Sequence, residues 1–404
     1  MEKNKKYFLI SIITIFIIKL ITAYSFVQYL DLLTTNFSWV QQISQKGLFN
    51  MYIPENGIFQ IDYPPLFLYL IYPIHKLAIL AYENSLNGLV QLTMKLIPLL
   101  FDAIITLFLY KKINLKTAFI WSINIATFIN VALWGQMDIP FIALMLFIIY
   151  YMEKDKPNNV LIFFALSCLL KPQGIYLFPI VILYLINSKK EKKEKKFAFL
   201  LGLTTGLLGW LPFMIANKSA ILPIIIYLGS VFRYSVINLN AGNFYFLFNN
   251  VEYSGLVSLI NYLMLILSII VLFKIFKQTK NYYFSSAVYM FNIFMLTFGQ
   301  HERYGIYAMF LFLISFVKTN NKKIGLIYIL TTLGTAINQI GVLIKENEYY
   351  KKIFEGILPE NIIRSQFAIN ANNISIIMSA TLNILAFIFL IKVLIDFKKG
   401  YMNE

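Results

Sequence analysis

The sequence predicts an all-α polytopic membrane protein, and its composition is the first reason. The chain has 404 residues, of which 59% are hydrophobic and 13% charged, and its mean hydropathy is +0.69. A water-soluble globular protein does not combine so much apolar content with so little charge. The apolar residues also form long runs separated by short lysine clusters, which is the pattern of membrane helices and their loops.

About twelve of these runs are predicted to be transmembrane helices. They lie at 7–27, 94–110, 117–133, 139–152, 158–170, 174–188, 197–215, 255–274, 283–299, 304–317, 324–344 and 374–394. A further run at 66–82 follows the stretch Asp62-Tyr63-Pro64-Pro65-Leu66. Proline fixes φ and lacks a backbone donor, so this stretch predicts the start of a helix and not its interior.

The lysines decide on which side of the membrane the run 66–82 is predicted to lie. If it is an interfacial helix on the outer face, every long lysine cluster falls on the inner face, including the six lysines of 189–196. If it crosses, each later cluster changes sides and violates the positive-inside rule. We therefore predict one transmembrane domain, 1–404, with both termini cytoplasmic. Its external loops are 28–93, which holds two interfacial helices, 216–254 and 345–373.

Several function classes are excluded at this level. The net charge of +16 comes from short clusters between apolar runs, so it predicts topology and not nucleic-acid binding. A single cysteine, Cys168, rules out an intramolecular disulfide. The two histidines, His75 and His301, and the scattered external acids predict no metal site. No glycine-rich phosphate motif is present, and no cofactor is predicted.

The polar motifs of the chain fall on the predicted outer face. They are Trp134-Gly135-Gln136-Met137-Asp138, Lys171-Pro172-Gln173 and Gln300-His301-Glu302-Arg303-Tyr304. The apolar segments beside the first two are shorter than the ~20 residues that a crossing needs. These turns are therefore predicted to lie below the membrane surface and to line a polar cavity.

Arginine usage points to the same face. The chain has three arginines among 35 basic residues, and Arg233, Arg303 and Arg364 are all on the predicted outer face. Guanidinium binds phosphate with a bidentate fork that lysine lacks. Arg303, beside His301 and Glu302, is the best candidate, while chance and interfacial snorkelling are the alternative explanations.

At this point the motifs carry a family resemblance. In order, they are Asp31, Trp39 to Gly47, Asp62-Tyr63-Pro64-Pro65-Leu66, Trp134-Gly135-Gln136-Met137-Asp138, Lys171-Pro172-Gln173, Trp210-Leu211-Pro212-Phe213 and His301-Glu302-Arg303-Tyr304. The chain resembles GT-C glycosyltransferases, in particular bacterial proteins similar to GPI-anchor mannosyltransferases and the dolichyl-phosphate-glucose glucosyltransferases of the N-glycan pathway. The resemblance covers about residues 1–315, and the rest carries no recognised motif.

The resemblance implies an inverting hexosyltransferase whose sugar arrives on a polyprenyl phosphate. Its general base falls on Asp31, for which helix capping is the alternative reading. Lys171, Arg303 and Arg233 are the predicted ligands of the donor phosphate, with His301 and Gln173 contacting phosphate or sugar. The predicted acceptor-binding or supporting residues are Asp62, Tyr63, Gln136, Asp138 and Glu302.

The expected partners are a polyprenyl-phosphate-linked mannose or glucose and an acceptor that is a glycan, a glycolipid or a wall polymer. The lysine-, isoleucine- and asparagine-rich composition favours a bacterial cytoplasmic membrane, with the active site on the external face. Two alternatives stay open. One is a lipid-linked sugar flippase or other twelve-span transporter, and the other is a polysaccharide polymerase or ligase.

Overall fold

The computed structural model describes residues 2–54, 61–232, 236–354 and 365–398, and these are predominantly helical. In chain order the α-helices are α1 (Glu2–Ser25), α2 (Phe37–Lys46), α3 (Pro65–Ile71), α4 (His75–Glu83), α5 (Asn87–Lys112), α6 (Leu115–Ser122), α7 (Ile125–Phe128), α8 (Asp138–Glu153), α9 (Pro157–Leu170), α10 (Phe178–Asn187), α11 (Lys192–Ala216), α12 (Leu222–Phe232), α13 (Leu256–Thr279), α14 (Tyr282–Leu296), α15 (Gly305–Thr319), α16 (Lys322–Phe354) and α17 (Gln366–Lys398). The all-α polytopic class is confirmed.

The connections contain three further kinds of structure. Tyr29–Asn36 and Ile129–Trp134 are π-helical. Short 3₁₀ segments are Leu48–Asn50, Tyr72–Ile74, Pro172–Leu177 and Phe246–Phe248. Strand β1 (Asn238–Leu239) pairs in parallel with β2 (Gln300–His301).

Seven helical stretches among the described residues are long and apolar enough to cross a membrane, and an eighth results if a pair bent by 55° is one span. They are Lys5–Ser25, Pro65–Glu83, Asn87–Lys112, Lys192–Ala216, Leu256–Thr279, Lys322–Tyr349 and Gln366–Phe397, with Leu115–Ser122 plus Ile125–Trp134 as the bent pair. All coincide with predicted spans except Pro65–Glu83, the run predicted to be interfacial. By length and composition that run also suits a crossing. Its interfacial placement and the count of twelve therefore stay predictions.

The other five predicted spans fall on shorter helices. Helices α8, α9, α10, α14 and α15 have 16, 14, 10, 15 and 15 residues. At about 1.5 Å per residue the longest reaches about 24 Å, less than the ~30 Å of a bilayer core. Most side chains of α14 and α15 are buried. The crossings predicted on these five helices therefore stay predictions.

The three predicted external loops contain regular structure. The segment 28–93 holds the π-helical turn, α2 to α4 and the first turns of α5, and 216–254 holds α12 and β1. Helix α16 continues to Phe354 and α17 begins at Gln366, so both extend into the predicted loop 345–373.

Local sequence explains several helix starts. The expected start at the double proline is confirmed, because α3 begins at Pro65 and Pro64 precedes it in extended conformation. Asn114, Asn124 and Asn281 each accept a hydrogen bond from the backbone three residues later, which caps α6, α7 and α14.

The chain divides into two compact units. Unit 1 comprises the described residues of Met1–Lys19, Ala103–Trp134 and Ser235–Glu404, and unit 2 those of Leu20–Asp102 and Gly135–Tyr234. In unit 2 an aromatic core includes Trp39, Phe67, Trp210 and Phe213, all buried. In unit 1 the buried helices α14 and α15 form the core, and α16 packs against α15 and α17.

Candidate functional site

Asp31, the predicted general base, lies in the first turn of the π-helical segment Tyr29–Asn36 of unit 2. The N-cap of that segment is Gln28, whose side-chain oxygen accepts a hydrogen bond from the Leu32 amide at 2.9 Å. Asp31 is half-buried, and its Oδ2 accepts a hydrogen bond from Nε2 of Gln136. The N-cap of this segment is thus Gln28 and not Asp31. Asp31 lies in a π-helical turn, a rare kind of structure that is often found at functional sites.

Asp138 and Lys171, two further predicted site residues, form a buried ion pair in unit 2. Lys171 Nζ lies 2.6 Å from Asp138 Oδ1, and the side chains are 1% and 0% exposed. Asp138 begins α8 and Lys171 follows the last residue of α9, so each charge also complements a helix dipole. Lys171 therefore does not snorkel to the interface, and its role at the donor phosphate stays a prediction.

The turn that carries Gln136 depends on Gly135. This glycine has φ +79°, and a Cβ there would lie 2.7 Å from Lys95 Cγ and 3.0 Å from Leu32 Cδ1. Glycine adopts this backbone conformation without a steric penalty, whereas other residues are strained in it. The absence of a side chain lets the turn approach α5 and the segment that carries Asp31.

Sequence reasoning missed the polar groups that support this arrangement. Lys95 on α5 is fully buried and donates hydrogen bonds to the carbonyls of Ala23 at 3.3 Å and Phe26 at 2.7 Å, at the end of α1. Gln91, one turn earlier, accepts a hydrogen bond from the Gln28 amide at 3.0 Å. A lysine at the start of the apolar run 94–110 was the available signal, because an intramembrane charge requires partners.

We expect Gly135→Ala to lower the free energy of unfolding by about 1–3 kcal/mol, because it adds a strained backbone conformation and a close contact with Lys95. It should also displace Gln136 from Asp31. The measurement is SDS-titrated unfolding of the purified protein in mixed micelles.

Gly47→Ala is the matched control for that substitution. Gly47 has φ +80°, but no heavy atom lies within 4 Å of an added Cβ. Gly47→Ala therefore introduces the same backbone strain as Gly135→Ala but no close contact of the added Cβ. Equal destabilisation by the two substitutions would contradict a packing role for Gly135.

The stretch around Asp62 and Tyr63 is fixed by its backbone. Ser230 Oγ donates to the Asp62 carbonyl at 2.6 Å, and the buried Tyr52 hydroxyl donates to the Tyr63 carbonyl. Burial, and then the nearby Asp62 carboxylate, raise the pKa of Tyr52, so this donor keeps its proton. Tyr63 packs against Trp39 with ring centroids 5.7 Å apart. Asp62 and Tyr63 are both half-buried in unit 2.

Two predicted donor-binding residues remain. Gln173 is half-buried in the 3₁₀ segment Pro172–Leu177, directly after Lys171. Gly174 follows, where a Cβ would lie 2.5 Å from the Ser167 carbonyl oxygen, so this turn packs tightly on α9. Arg233 and Arg364 lie outside the residues that the structure describes.

His301, Glu302 and Arg303 form a second polar cluster, in the turn between α14 and α15 of unit 1. An Arg303 guanidinium nitrogen donates to Glu302 Oε1, and His301 Nδ1 lies 3.7 Å from Glu302 Oε2. The Glu302 side chain is 2% exposed, against 10% for Arg303 and 17% for His301. His301 is the most accessible member of the cluster.

Glu302 is ionised in this environment. Burial alone would raise its pKa, but Arg303 and His301 outweigh burial and hold the pKa of Glu302 well below its usual range. The stabilisation from this carboxylate is therefore present above the unfolded-state pKa of about 4.3. It is lost as the pH falls through the lower folded-state pKa.

The guanidinium of Arg303 lies close to two aromatic rings. Its carbon lies 5.5 Å from the centroid of Trp134 and 5.6 Å from that of Tyr304. Trp134 ends the π-helical segment Ile129–Trp134 and is 1% exposed. Its buried ring therefore forms a cation–π contact with Arg303.

Within the described ranges, no group of three or more histidine, cysteine, aspartate or glutamate side chains could hold a metal ion. The polar groups brought together in each unit are carboxylates, amides and cations. In unit 2 these are Asp31 with Gln136 and Asp138 with Lys171. In unit 1 they are Glu302 with Arg303 and His301.

The chain matches no known protein-family description and no curated protein. The fold defines an all-α polytopic membrane protein, a class that supports many activities.

Proposed function

We propose that this protein is a membrane glycosyltransferase of the GT-C type, which moves a hexose from a polyprenyl-phosphate sugar to an acceptor hydroxyl. The observation that carries the proposal is the environment of Asp31. Asp31 is a half-buried carboxylate in a π-helical turn whose N-cap is Gln28, and it accepts a hydrogen bond from the Gln136 side-chain amide. A positioned carboxylate with retained access is what a general base requires.

In the proposed reaction the Asp31 carboxylate takes the proton of the acceptor hydroxyl while the hydroxyl oxygen attacks the anomeric carbon of the donor. The bond from that carbon to the phosphate oxygen breaks, and prenyl phosphate leaves with the electron pair. The configuration at the anomeric carbon inverts because attack and departure occur on opposite faces. The hydrogen bond from Gln136 orients the carboxylate.

The leaving phosphate needs positive charge, and Arg303, Lys171 and Arg233 are the proposed sources. Arg303 is paired with Glu302 and contacts the rings of Trp134 and Tyr304, which limits its rotamer freedom before substrate arrives. His301, its partly exposed neighbour, is a proposed hydrogen-bond donor to phosphate or sugar.

The remaining predicted residues support the acceptor side of the proposal. Asp62, Tyr63, Gln136 and Asp138 are in unit 2, while Glu302 belongs to unit 1. Gln173, also in unit 2, is a proposed contact of the donor phosphate or sugar. We place the reaction on the external face of a bacterial cytoplasmic membrane. The donor sugar is mannose or glucose, and the acceptor is a glycan, a glycolipid or a wall polymer; the following experiment distinguishes them.

The experiment uses the full chain purified in detergent with matched short-chain prenyl-phospho-mannose and prenyl-phospho-glucose and a panel of acceptors. We expect release of prenyl phosphate with one of the two sugars, and a glycosylated acceptor with inverted anomeric configuration. No turnover of either donor with any acceptor would reject the transferase. Movement of the intact sugar lipid across proteoliposome membranes would then support the flippase alternative, and turnover of diphosphate-linked glycans the polymerase or ligase.

A further inference from the structure

Helices α16 and α17 carry buried amides although both are apolar enough to cross a membrane. Asn338 and Gln339 on α16 are fully buried, and Asn383 on α17 is 1% exposed. A buried amide at membrane depth costs free energy unless it is hydrogen-bonded. These residues belong to the part of the chain, beyond about 315, in which the sequence shows no recognised motif.

Asn338 binds the backbone of the segment that follows β1. Its Oδ1 accepts a hydrogen bond from the Gly242 amide at 2.7 Å, and its Nδ2 donates to the Asn240 carbonyl at 2.8 Å. One side chain thus satisfies two backbone groups, one buried and one half-buried, about one hundred residues away in the sequence. Such groups need partners, so the contact fixes the position of residues 240–242.

Helix α17 holds the same segment. Asn383 Nδ2 donates to the Gly242 carbonyl at 2.8 Å. A Cβ on Gly242 would lie 2.1 Å from Ser379 Oγ, so the segment is pressed against α17. Together, α16 and α17 hold both backbone polar groups of Gly242.

The held segment continues directly into the His301 cluster. Strand β1 pairs with β2, with Asn238 opposite Gln300 and Leu239 opposite His301. Asn240, which Asn338 contacts, also forms a β-bridge with His301. A hydrogen-bonded path therefore leads from Asn338 through Asn240 to His301, all within unit 1.

Gln339, the next residue of α16, contacts the segment that leads to Trp134. Its Nε2 donates to the Ala126 carbonyl at 3.3 Å, and its Oε1 accepts from Asn130 Nδ2 at 3.3 Å. Asn130 belongs to the π-helical segment that ends at Trp134, the ring that packs against Arg303. The adjacent amides of Asn338 and Gln339 thus contact the two segments, 240–242 and Ile129–Trp134, that lead to the cluster.

We propose that Asn338 and Gln339 of α16, assisted by Asn383 of α17, are positioning residues that set the geometry of the His301–Glu302–Arg303 cluster. The donor-binding effect of this positioning rests on the proposed function. In this proposal α16 and α17 determine the positions of His301 and Arg303.

The first test needs no substrate. Hydrogen–deuterium exchange of the detergent-purified chain is compared for wild type, Asn338→Ala and Asn383→Ala, with Thr381→Ala as the control. Thr381 is exposed on α17 and bonds only its own helix at the Ile377 carbonyl. We expect exchange to accelerate by about tenfold in peptides covering 236–243 and also 298–304, as the loss of one or two net hydrogen bonds predicts. The control should leave both peptides unchanged.

Acceleration confined to 236–243, with 298–304 at the wild-type rate, would overturn the positioning role whatever the activity. If Asn338→Ala does not fold, Asn383→Ala decides, because it removes one bond to Gly242 and leaves Asn338 in place. This readout separates the inference from the proposed function, which fails only if no prenyl-phospho-hexose is turned over.

The second test is a double-mutant cycle with His301→Ala, measured on the donor KM. Asn338→Ala should raise the donor KM about tenfold and leave kcat within about twofold, because it misplaces a donor-binding group and not the base. In the His301→Ala background the same substitution should raise the KM less than about twofold. Full additivity of the two effects would show that Asn338 does not act through His301.

Discussion

Asp31→Asn is expected to slow hexose transfer by about 10²–10⁴-fold, the range that general-base catalysis contributes, while donor affinity stays at the wild-type value. Asparagine has the size of aspartate and can still accept the hydrogen bond from Gln136 through its amide oxygen. It cannot take the acceptor proton. The measurement is kcat for prenyl phosphate release together with the equilibrium binding of a non-transferable donor analogue.

Asp396→Asn is the control for that result. Asp396 is a carboxylate on α17 whose partner is the exposed Lys323, so its removal should leave transfer unchanged. The transfer rate of Gln136→Leu should lie between the rates of Asp31→Asn and Asp396→Asn. In this variant Asp31 keeps its charge but loses the hydrogen-bond donor that orients it. Wild-type turnover by Asp31→Asn would remove Asp31 as the base, and Asp62 and Asp138 would be examined next.

Lys171→Met is expected to lower the free energy of unfolding by about 3–5 kcal/mol, because it leaves the Asp138 carboxylate buried without its ammonium partner. The double variant Lys171→Met with Asp138→Leu should recover most of that loss, since an apolar pair of similar volume replaces a buried ion pair at little cost. SDS-titrated unfolding of the purified variants measures both values.

The double variant also separates the structural role of Lys171 from its proposed role at the donor phosphate. If Lys171 binds the phosphate, the stable double variant should show a donor KM raised about tenfold or more. Full activity in that variant would remove Lys171 from the donor site. Lys190→Met is the control, because Lys190 pairs with Glu194 on the surface and such pairs contribute little.

The class of the protein and several helix starts could be predicted from the sequence, because they depend on local signals. Apolar runs predict helices wherever they occur, and Pro65 and the capping asparagines mark the starts of α3, α6 and α14. The run Pro65–Glu83 shows the limit of such signals. Its hydropathy suits a crossing while the lysine distribution favours the interface, and neither observation concerns its packing.

The sequence could predict which residues belong to the candidate site, but it could not predict which of them contact each other. Trp134-Gly135-Gln136-Met137-Asp138 stood out as a polar motif between apolar runs. Nothing in it indicated that Gln136 binds Asp31, which is 105 positions away, or that Asp138 pairs with Lys171. Lys95 and Asn338 carried weaker signals still, because a single lysine or asparagine in an apolar run is explained equally well by a helix end.

By itself the sequence determined that this is an all-α membrane protein with polar motifs at the ends of short apolar segments. Tertiary structure alone decided which polar groups meet: the amide of Gln136 with Asp31, the carboxylate of Asp138 with Lys171, and the amide of Asn338 with residues 240–242. The physical reason is one of range. Helix propensity and capping act over a few residues, whereas a buried charge or amide must find its partner through space, wherever packing places one.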